Sequence, residues 1–396
     1  MLGLGRTGHP YLERAHARGL AVSIVDRPSL LRAESTQRLL RDEDRCYPVP
    51  RSSDEATYAA ASETLRDAPA DAVLAVSEPH VVPAALLAED LGLPGPGLHA
   101  AVVSRNKLFQ RRLLGRHGVS QPAFWLAHGT GDAARWAYGR YPVLLKPLTE
   151  SGSMGVRVVD ARDELADWCT QRAGTGPFLV EELVTGPEYS LECVVRQRRL
   201  VFASLTAKTT TDPPYCVEIE HLVPAPVDGD ALALARRLGQ QVLAAAGVDT
   251  GLVHLEFRLG AHGPAVIEFA VRGPGDHIMD LVREATGADL HDAAVALAAG
   301  EQVAFPCTTV AVAAVWFPAP PPGRVTAVDG LETVAAMPSV LSAQVDVRSG
   351  DTVLPLRSSL DRVGYVVLRA DTMAGVRDAL DRVRHSLVIH TDGAGT

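Results

Sequence analysis

Lysine is almost missing from this chain. Of its 38 basic residues only three, Lys107, Lys146 and Lys208, are Lys; the rest are Arg. A sequence so biased keeps Lys mainly where a compact ammonium on a flexible stem serves and a planar guanidinium fork does not. The three lysines are therefore candidates for function before any pattern is read. Cysteine is scarce too: Cys46, Cys169, Cys193, Cys216 and Cys307 are odd in number, widely spaced and form no C-x-x-C. That excludes a disulfide or zinc framework and reads as reduced thiols in the cytoplasm. No apolar run approaches the roughly 20 residues of a membrane span. The start MLGLGRTGHP lacks the charged segment and long apolar run of a signal peptide. Positive charge is in deficit, with a net charge of -9. A nucleic-acid partner would want a basic face, so none is expected. A local cluster can still hold an anionic nucleotide. Internal repeats and low-complexity tracts are also absent.

What is present suffices for two or three domains: 396 residues, 47% hydrophobic and 21% charged. Residues 1–98 alternate strand and helix patterns, with strands at 20–25 and 71–76 and a helix at 82–91. Such alternation predicts a Rossmann-like α/β unit with a parallel sheet. The breaker cluster Leu93-Pro94-Gly95-Pro96-Gly97 marks its end. Residues 99–304 read as a second unit. It opens on a helix over 100–117, has strands at 143–146, 156–159, 178–182 and 189–195, and includes a lid at about 140–185. An amphipathic helix over 230–246 follows, then strands at 251–259 and 265–271 and helices at 276–285 and 290–299. Residues 305–396 read as a small, β-rich α+β unit with a strand at 310–317 and a helix at 374–385. The fold class is therefore α/β with α+β parts.

Gly3-Leu4-Gly5-Arg6-Thr7-Gly8, with Asp26 downstream, matches the dinucleotide pattern G-x-G-x-x-G followed by an acid. Only Met1 and Leu2 precede it, so its strand is nearly missing. A tight strand-to-helix turn that binds nothing explains it better than a dinucleotide site.

The strongest chemistry lies in a hairpin. Residues 253–259 and 266–272 alternate apolar and polar positions about the turn Gly260-Ala261-His262-Gly263. His254, Glu256 and Arg258 share one face of the first strand; Glu268, Ala270 and Arg272 share one face of the second. Ile267, Phe269 and Val271 point the other way. Glu256 and Glu268 then lie almost opposite each other, which is unfavourable without compensation. Either one carboxylate is protonated, or a divalent cation lies between them; hard oxygens on rigid strands suit Mg2+. Arg272 on the same face could stabilise a transferring phosphate or an oxyanion.

Two further segments suit a nucleotide. Lys146-Pro147 leads into a loop in which Ser151, Gly152, Ser153 and Gly155 free backbone amides for phosphate oxygens. It is not a Walker A loop, because no G-K-[ST] ends it. The strand 178–182 then ends in acids, followed by Glu188.

In this order, the Lys at 107, the Lys-Pro and Gly/Ser loop at 146–155, V-E-E-x-x-x-G-x-E at 180–188 and Glu…Glu-x-x-x-Arg at 256–272 resemble the ATP-grasp superfamily. The resemblance covers nearly the whole chain and implies an ATP-grasp fold with a pre-ATP-grasp domain and a C-terminal extension. It implies ATP and Mg2+ as cofactors, with Mn2+ as an alternative. By resemblance, Lys107 and Lys146 bind phosphate, Ser151 to Gly155 cover it, Glu181 and Val184 meet adenine, and Glu188 meets the ribose. Glu256 and Glu268 hold the metal. Arg272 holds the acyl phosphate and the tetrahedral intermediate. One departure stands out: the family usually has Asn as a further metal ligand where this chain has Ala270.

Arg272-Gly273-Pro274-Gly275-Asp276 resembles the Arg-x-x-Gly-Asp pattern of carboxylate–amine ligases of the L-amino-acid ligase type. Residues 216–224 resemble a segment near their substrate site, with Lys208 just upstream. Lys208, Glu218, His221, Gly275 and Asp276 are the implied substrate residues. Asp276 also suits an N-cap of the helix that follows, and His221 equally suits a packed loop histidine. The implied activity is ATP-dependent amide or peptide bond formation through an acyl phosphate, from a small carboxylate and a small amine, one an amino acid. A homodimer is compatible with it. The alternatives are a biotin carboxylase-like or purine-pathway carboxylase, an ATP-binding protein impaired by Ala270, and an NAD-dependent oxidoreductase using the first glycine pattern.

Overall fold

Eight strands, some alternating apolar and polar residues and some apolar throughout, assemble into one sheet. In spatial order they are Gly263–Ala270, Gly251–Gly260, Glu188–Arg196, Arg199–Thr210, Glu218–Val223, Val312–Trp316, Gly364–Ala370 and Val340–Val345. Every neighbouring pair is antiparallel. The structure, a computed structural model, describes residues 1–5, 8–49, 53–67, 69–174, 176–306 and 309–393. Arg6 and Thr7 of the glycine pattern, and Cys307, lie outside the described residues. Cys46, Cys169, Cys193 and Cys216 are free thiols. No helix among the described residues is long and apolar enough to cross a membrane.

The sheet runs without a break across the boundary expected at residue 304. Val315 pairs with His221, and Trp316 with Glu220, so the C-terminal segment is hydrogen-bonded to the centre of the chain. Arg199–Thr210 and Glu218–Val223, which the pattern analysis did not assign, are the strands that make this possible. The amphipathic helix forms at Gly229–Ala246, capped by the Asp228 side chain, which accepts from the Ala231 amide. Its Ala235, Leu238, Val242 and Ala246 pack with Leu191, Leu255, Phe257 and Phe269 on the sheet's apolar face.

Above the sheet's polar face lies a four-stranded antiparallel sheet, in the order Phe124–Ala127, Phe178–Glu182, Val143–Pro147 and Arg157–Val159. Its core is Val143, Leu145, Val159, Leu165, Trp168, Phe178 and Val180.

Two expected elements change. The strand over 71–76 does not form; Ala75 makes a single bridge to Leu2, which also bridges Val25. Ser23–Asp26 still pairs in parallel with Arg45–Pro48. The helix over 100–117 is broken into Leu98–Ser104 and Lys107–Arg116. Asn106 between them is extended, and its side-chain oxygen accepts from the Leu108 and Phe109 amides at 3.0 and 3.3 Å. An Asn cap restarts the helix, which hydrophobic periodicity cannot reveal.

The link from the small sheet to the large one passes through Gly186, whose φ is 114°. A Cβ there would lie 2.3 Å from the Leu259 carbonyl oxygen. Gly186→Ala should lower the free energy of unfolding by about 1–3 kcal/mol, measured as a fall in urea midpoint.

Candidate active site

The hairpin places Glu256 directly opposite Glu268 in the ladder. A bulge follows: Phe257 pairs with Val266, leaving Ile267 as an extra residue. Val266 and Phe269 therefore fill the core, while Ile267 turns to the cavity beside Glu268. The strict alternation that put Ile267 with Phe269 is corrected by that bulge.

Within the protein, ammonium groups stand against the facing carboxylates. Each acid has its own ammonium: Lys107 Nζ lies 2.9 Å from Glu268, and Lys208 contacts Glu256 directly. Lys208 also reaches Glu218 at 3.1 Å and Glu188 at 3.9 Å. Burial opposes its charge, but the three carboxylates outweigh burial and raise its pKa well above the usual lysine value. Glu256 is likewise held well below the carboxylate range, Lys208 and His254 outweighing burial. His254 bridges Glu192 at 2.8 Å and Glu256 at 3.1 Å. Burial works against its proton, yet the two acids lift it to about 9.

The pair suits a divalent cation, offering hard oxygens from adjacent rigid strands. Ala270, opposite His254, contributes no ligand. No group of three or more His, Cys, Asp or Glu among the described residues could hold a metal ion. Water and phosphate oxygens would have to complete the shell.

Lys146 lies one residue before the end of the strand Val143–Pro147, almost fully buried, with Nζ 2.6 Å from Glu181. Burial, with the Arg111 guanidinium nearby, brings its pKa down to about 8. Burial also disfavours charge on Glu181, but Arg111 and Lys146 outweigh it and lower its pKa. Arg111 and Lys146 thus engage both Glu181 oxygens. The cavity wall beside it is formed by Glu182, Leu183 and Val184. The Val184 carbonyl accepts from Arg258 at 3.2 Å, and Arg258 pairs with Glu188 at 2.9 Å. Burial raises the Glu188 carboxyl.

The loop at 151–155 covers the cavity. Lys107 Nζ donates to the Glu150 carbonyl at its base at 2.6 Å. The Gly152 carbonyl accepts from the Ser359 amide at 3.0 Å, so the C-terminal segment touches the loop. Arg272 pairs with Glu78 from the N-terminal unit, and Arg105 reaches the same acid at 3.2 Å.

Asp276 is not the helix cap. His277 occupies that position without a side-chain cap bond, and the helix spans Ile278–Thr286. Asp276 instead pairs with Arg362 at 2.8 Å and lies 3.4 Å from His221. These partners overcome burial and keep it well below the carboxylate range. His221 lies on the strand Glu218–Val223, not a loop, and burial lowers its pKa. Arg362 also contacts Glu218 at 3.4 Å and stacks over Phe317 at 3.9 Å.

One cavity of about 330 Å³ gathers Lys107, Lys146, Ser151, Gly152, Ser153, Glu181, Val184, Glu188, Lys208, Glu218, Glu256, Glu268, Arg272, Gly275 and Asp276. Two candidates stand behind it: Gly155, whose Cβ would press on Pro147 and Arg172, and the fully buried His221. Sequence reasoning missed Arg111, Glu78, Arg362, Glu192 and His254. Periodicity did place His254 on the Glu256 face, the one signal available. The N-terminal glycines are occupied internally: Asp26 accepts from the Gly5 amide at 2.7 Å and the Arg27 amide at 2.6 Å. The acid that would take a ribose thus uses an amide meant for pyrophosphate.

A folded-state pKa raised from 6.5 to about 9 makes His254 stabilising below pH 6.5, with that contribution lost as pH rises through about 9. The stability gap between wild type and His254→Gln should be widest at pH 6 and close by pH 9 to 10 in urea titrations.

Three family models match the chain: an ATP-grasp N-terminal domain over residues 12–95, an ATP-grasp domain over 139–280, and L-amino acid ligase C-terminal domain 2 over 315–392. An uncharacterized protein from Sinorhizobium fredii is 29% identical over 310 residues, 76% of this chain and 64% of that protein. Carnosine synthase 1 from Gallus gallus is 27% identical over 253 residues, 58% of this chain and 27% of the relative. The chain thus spans less than two thirds of the length of these curated relatives. The crystal structure of L-amino acid ligase from Bacillus licheniformis superposes with a TM-score of 0.83 at 24% identity, covering 99% of this chain and 98% of that one, a likeness of fold. With matched segments in the N-terminal, central and C-terminal thirds, the chain belongs to the ATP-grasp superfamily and carries the C-terminal domain of its L-amino acid ligase branch.

Proposed function

We propose that this chain is an ATP-dependent carboxylate–amine ligase that forms an amide or peptide bond through an acyl phosphate, releasing ADP and phosphate. One observation carries the reading. All three scarce lysines, two facing carboxylates and Arg272 line a single cavity under a Ser/Gly loop. In this reading Lys107 and Lys146 hold phosphate oxygens, and the amides of Ser151, Gly152 and Ser153 close over them. Gly155 shapes the loop from behind. Adenine rests against residues 182–184, including the Val184 backbone, and Glu188 meets the ribose. Glu181 serves Lys146 rather than the base.

Glu256 and Glu268 would hold Mg2+, or Mn2+ in its place; when bound, the ion draws charge off the phosphates. Lys107 would then exchange Glu268 for phosphate. A substrate carboxylate oxygen attacks the γ-phosphorus and ADP leaves. The amine attacks the acyl carbon, loses its proton, and phosphate leaves with the oxyanion facing Arg272. Positioning and electrostatics supply most of the rate. Glu218, Gly275 and Asp276 would border the amino-acid substrate, with Lys208 holding Glu218 from within the cavity and His221 holding Asp276 from behind. The match to L-amino acid ligase C-terminal domain 2 favours this reading over a carboxylase. Ala270 favours a second one, an ATP-binding protein impaired in catalysis.

The test is an ADP-release screen over amino acids, alone and in pairs, with Mg2+ and without bicarbonate. ADP release with a pair supports the ligase. Release only with bicarbonate supports a carboxylase, and ATP binding without release supports the impaired protein. Glu268→Gln should lower kcat by about 100-fold; unchanged turnover would remove the metal assignment. Because the Lys146 ammonium titrates near 8, ATP affinity measured by calorimetry should weaken as pH rises above that value.

A further inference from the structure

We infer that Arg111 is a positioning residue that sets both Lys146 and Glu268, acting through Glu181 and through the Ile267 carbonyl. The inference rests on the nucleotide site proposed above. Arg111 lies one turn beyond Lys107 on the helix Lys107–Arg116, and it is 1% exposed. Its Nε donates to Glu181 Oε1 at 2.7 Å, and its Nη2 to Glu181 Oε2 at 3.1 Å. The same Nη2 donates to the Ile267 carbonyl at 2.7 Å.

Each contact reaches a proposed functional group at one remove. Glu181 Oε2 also holds Lys146 Nζ at 2.6 Å. One carboxylate therefore lies between two cations and gives itself wholly to neither. Without Arg111, Glu181 would draw the Lys146 ammonium toward the small sheet and away from the cavity. Ile267 is the extra residue of the bulge, next to Glu268, where the ladder is interrupted. Arg111 gives its carbonyl the donor that the neighbouring strand does not, and so fixes the backbone from which Glu268 projects.

A lysine has one nitrogen for these targets, whereas a guanidinium presents a rigid fork to several at once. The third guanidinium nitrogen, Nη1, is buried without an acceptor. A buried unpaired donor is costly, so the site retains this arginine despite that cost. The helix is further locked to the hairpin by Gln110, which donates to the Phe269 carbonyl and accepts from its amide, both at 3.0 Å. One short helix thus keeps the small sheet, through Glu181, in register with the hairpin, through Ile267 and Glu268.

The distinguishing measurement is calorimetric binding of Mg2+–ATP and of AMP to the full chain and its variants. A residue that only supports folding would weaken both ligands alike. A residue that places a phosphate lysine and a metal carboxylate should weaken ATP selectively. Arg111→Met and Glu181→Gln should each raise the ATP Kd about tenfold while changing the AMP Kd less than twofold. Arg111→Lys, which keeps the buried charge but not the fork, should raise the ATP Kd about threefold and carries the test if Arg111→Met does not fold. Equal factors for ATP and AMP, or no change for either, would overturn the inference. If wild type binds neither ligand, the nucleotide site itself is wrong, which is a separate failure.

Discussion

Two carboxylates facing each other across a hairpin set the terms for everything around them. Glu256 and Glu268 repel unless cations stand close. Lys208 and His254 support the first, and Lys107 supports the second. Those cations arrive from different elements: Lys208 from the next-but-one strand, Lys107 from a helix start created by the Asn106 cap. The sheet order, the helix break and the length of the lysine stems all serve one electrostatic requirement. A divalent cation with a phosphate chain would meet it in another way, and the proposed site would then respond to nucleotide.

Charge burial around that pair is extensive and almost wholly balanced. Glu181 sits between Arg111 and Lys146, Glu78 between Arg272 and Arg105, and Asp276 between Arg362 and His221. Removing one member of such a group leaves an uncompensated buried charge, which is strongly destabilising. The partners come from all three parts of the chain, so the cavity holds the parts together. Continuity of the large sheet from Glu218–Val223 to Val312–Trp316 brings Arg362 and Ser359 within reach of it.

Much of this was legible in the chain itself. Strict alternation in residues 253–259 announced the strand and its polar face, and a two-glycine turn brought the two acids within one position of each other; the bulge at Ile267 sets them directly opposite. Scarcity gave the lysines away, because each one departs from an arginine background. The same background hid the arginines: Arg111, Arg105 and Arg362 looked like any others. Their partners lie far along the chain, Arg111 from Glu181 and Arg362 from Asp276, and no local pattern encodes such pairings. The bulge at Ile267 and the cap at Asn106 were invisible for a different reason. Each turns on a single residue's backbone geometry, which hydrophobic periodicity averages away.

In the proposed mechanism, Glu256 and Glu268, held by ammonium groups in the protein alone, take up a divalent cation with the nucleotide. Mn2+ titration followed by electron paramagnetic resonance, with and without ATP, is the decisive measurement. Tight Mn2+ uptake only when ATP is present, abolished in Glu256→Gln and Glu268→Gln, is the predicted result. Equally tight uptake without ATP, or uptake unchanged in both variants, would contradict it.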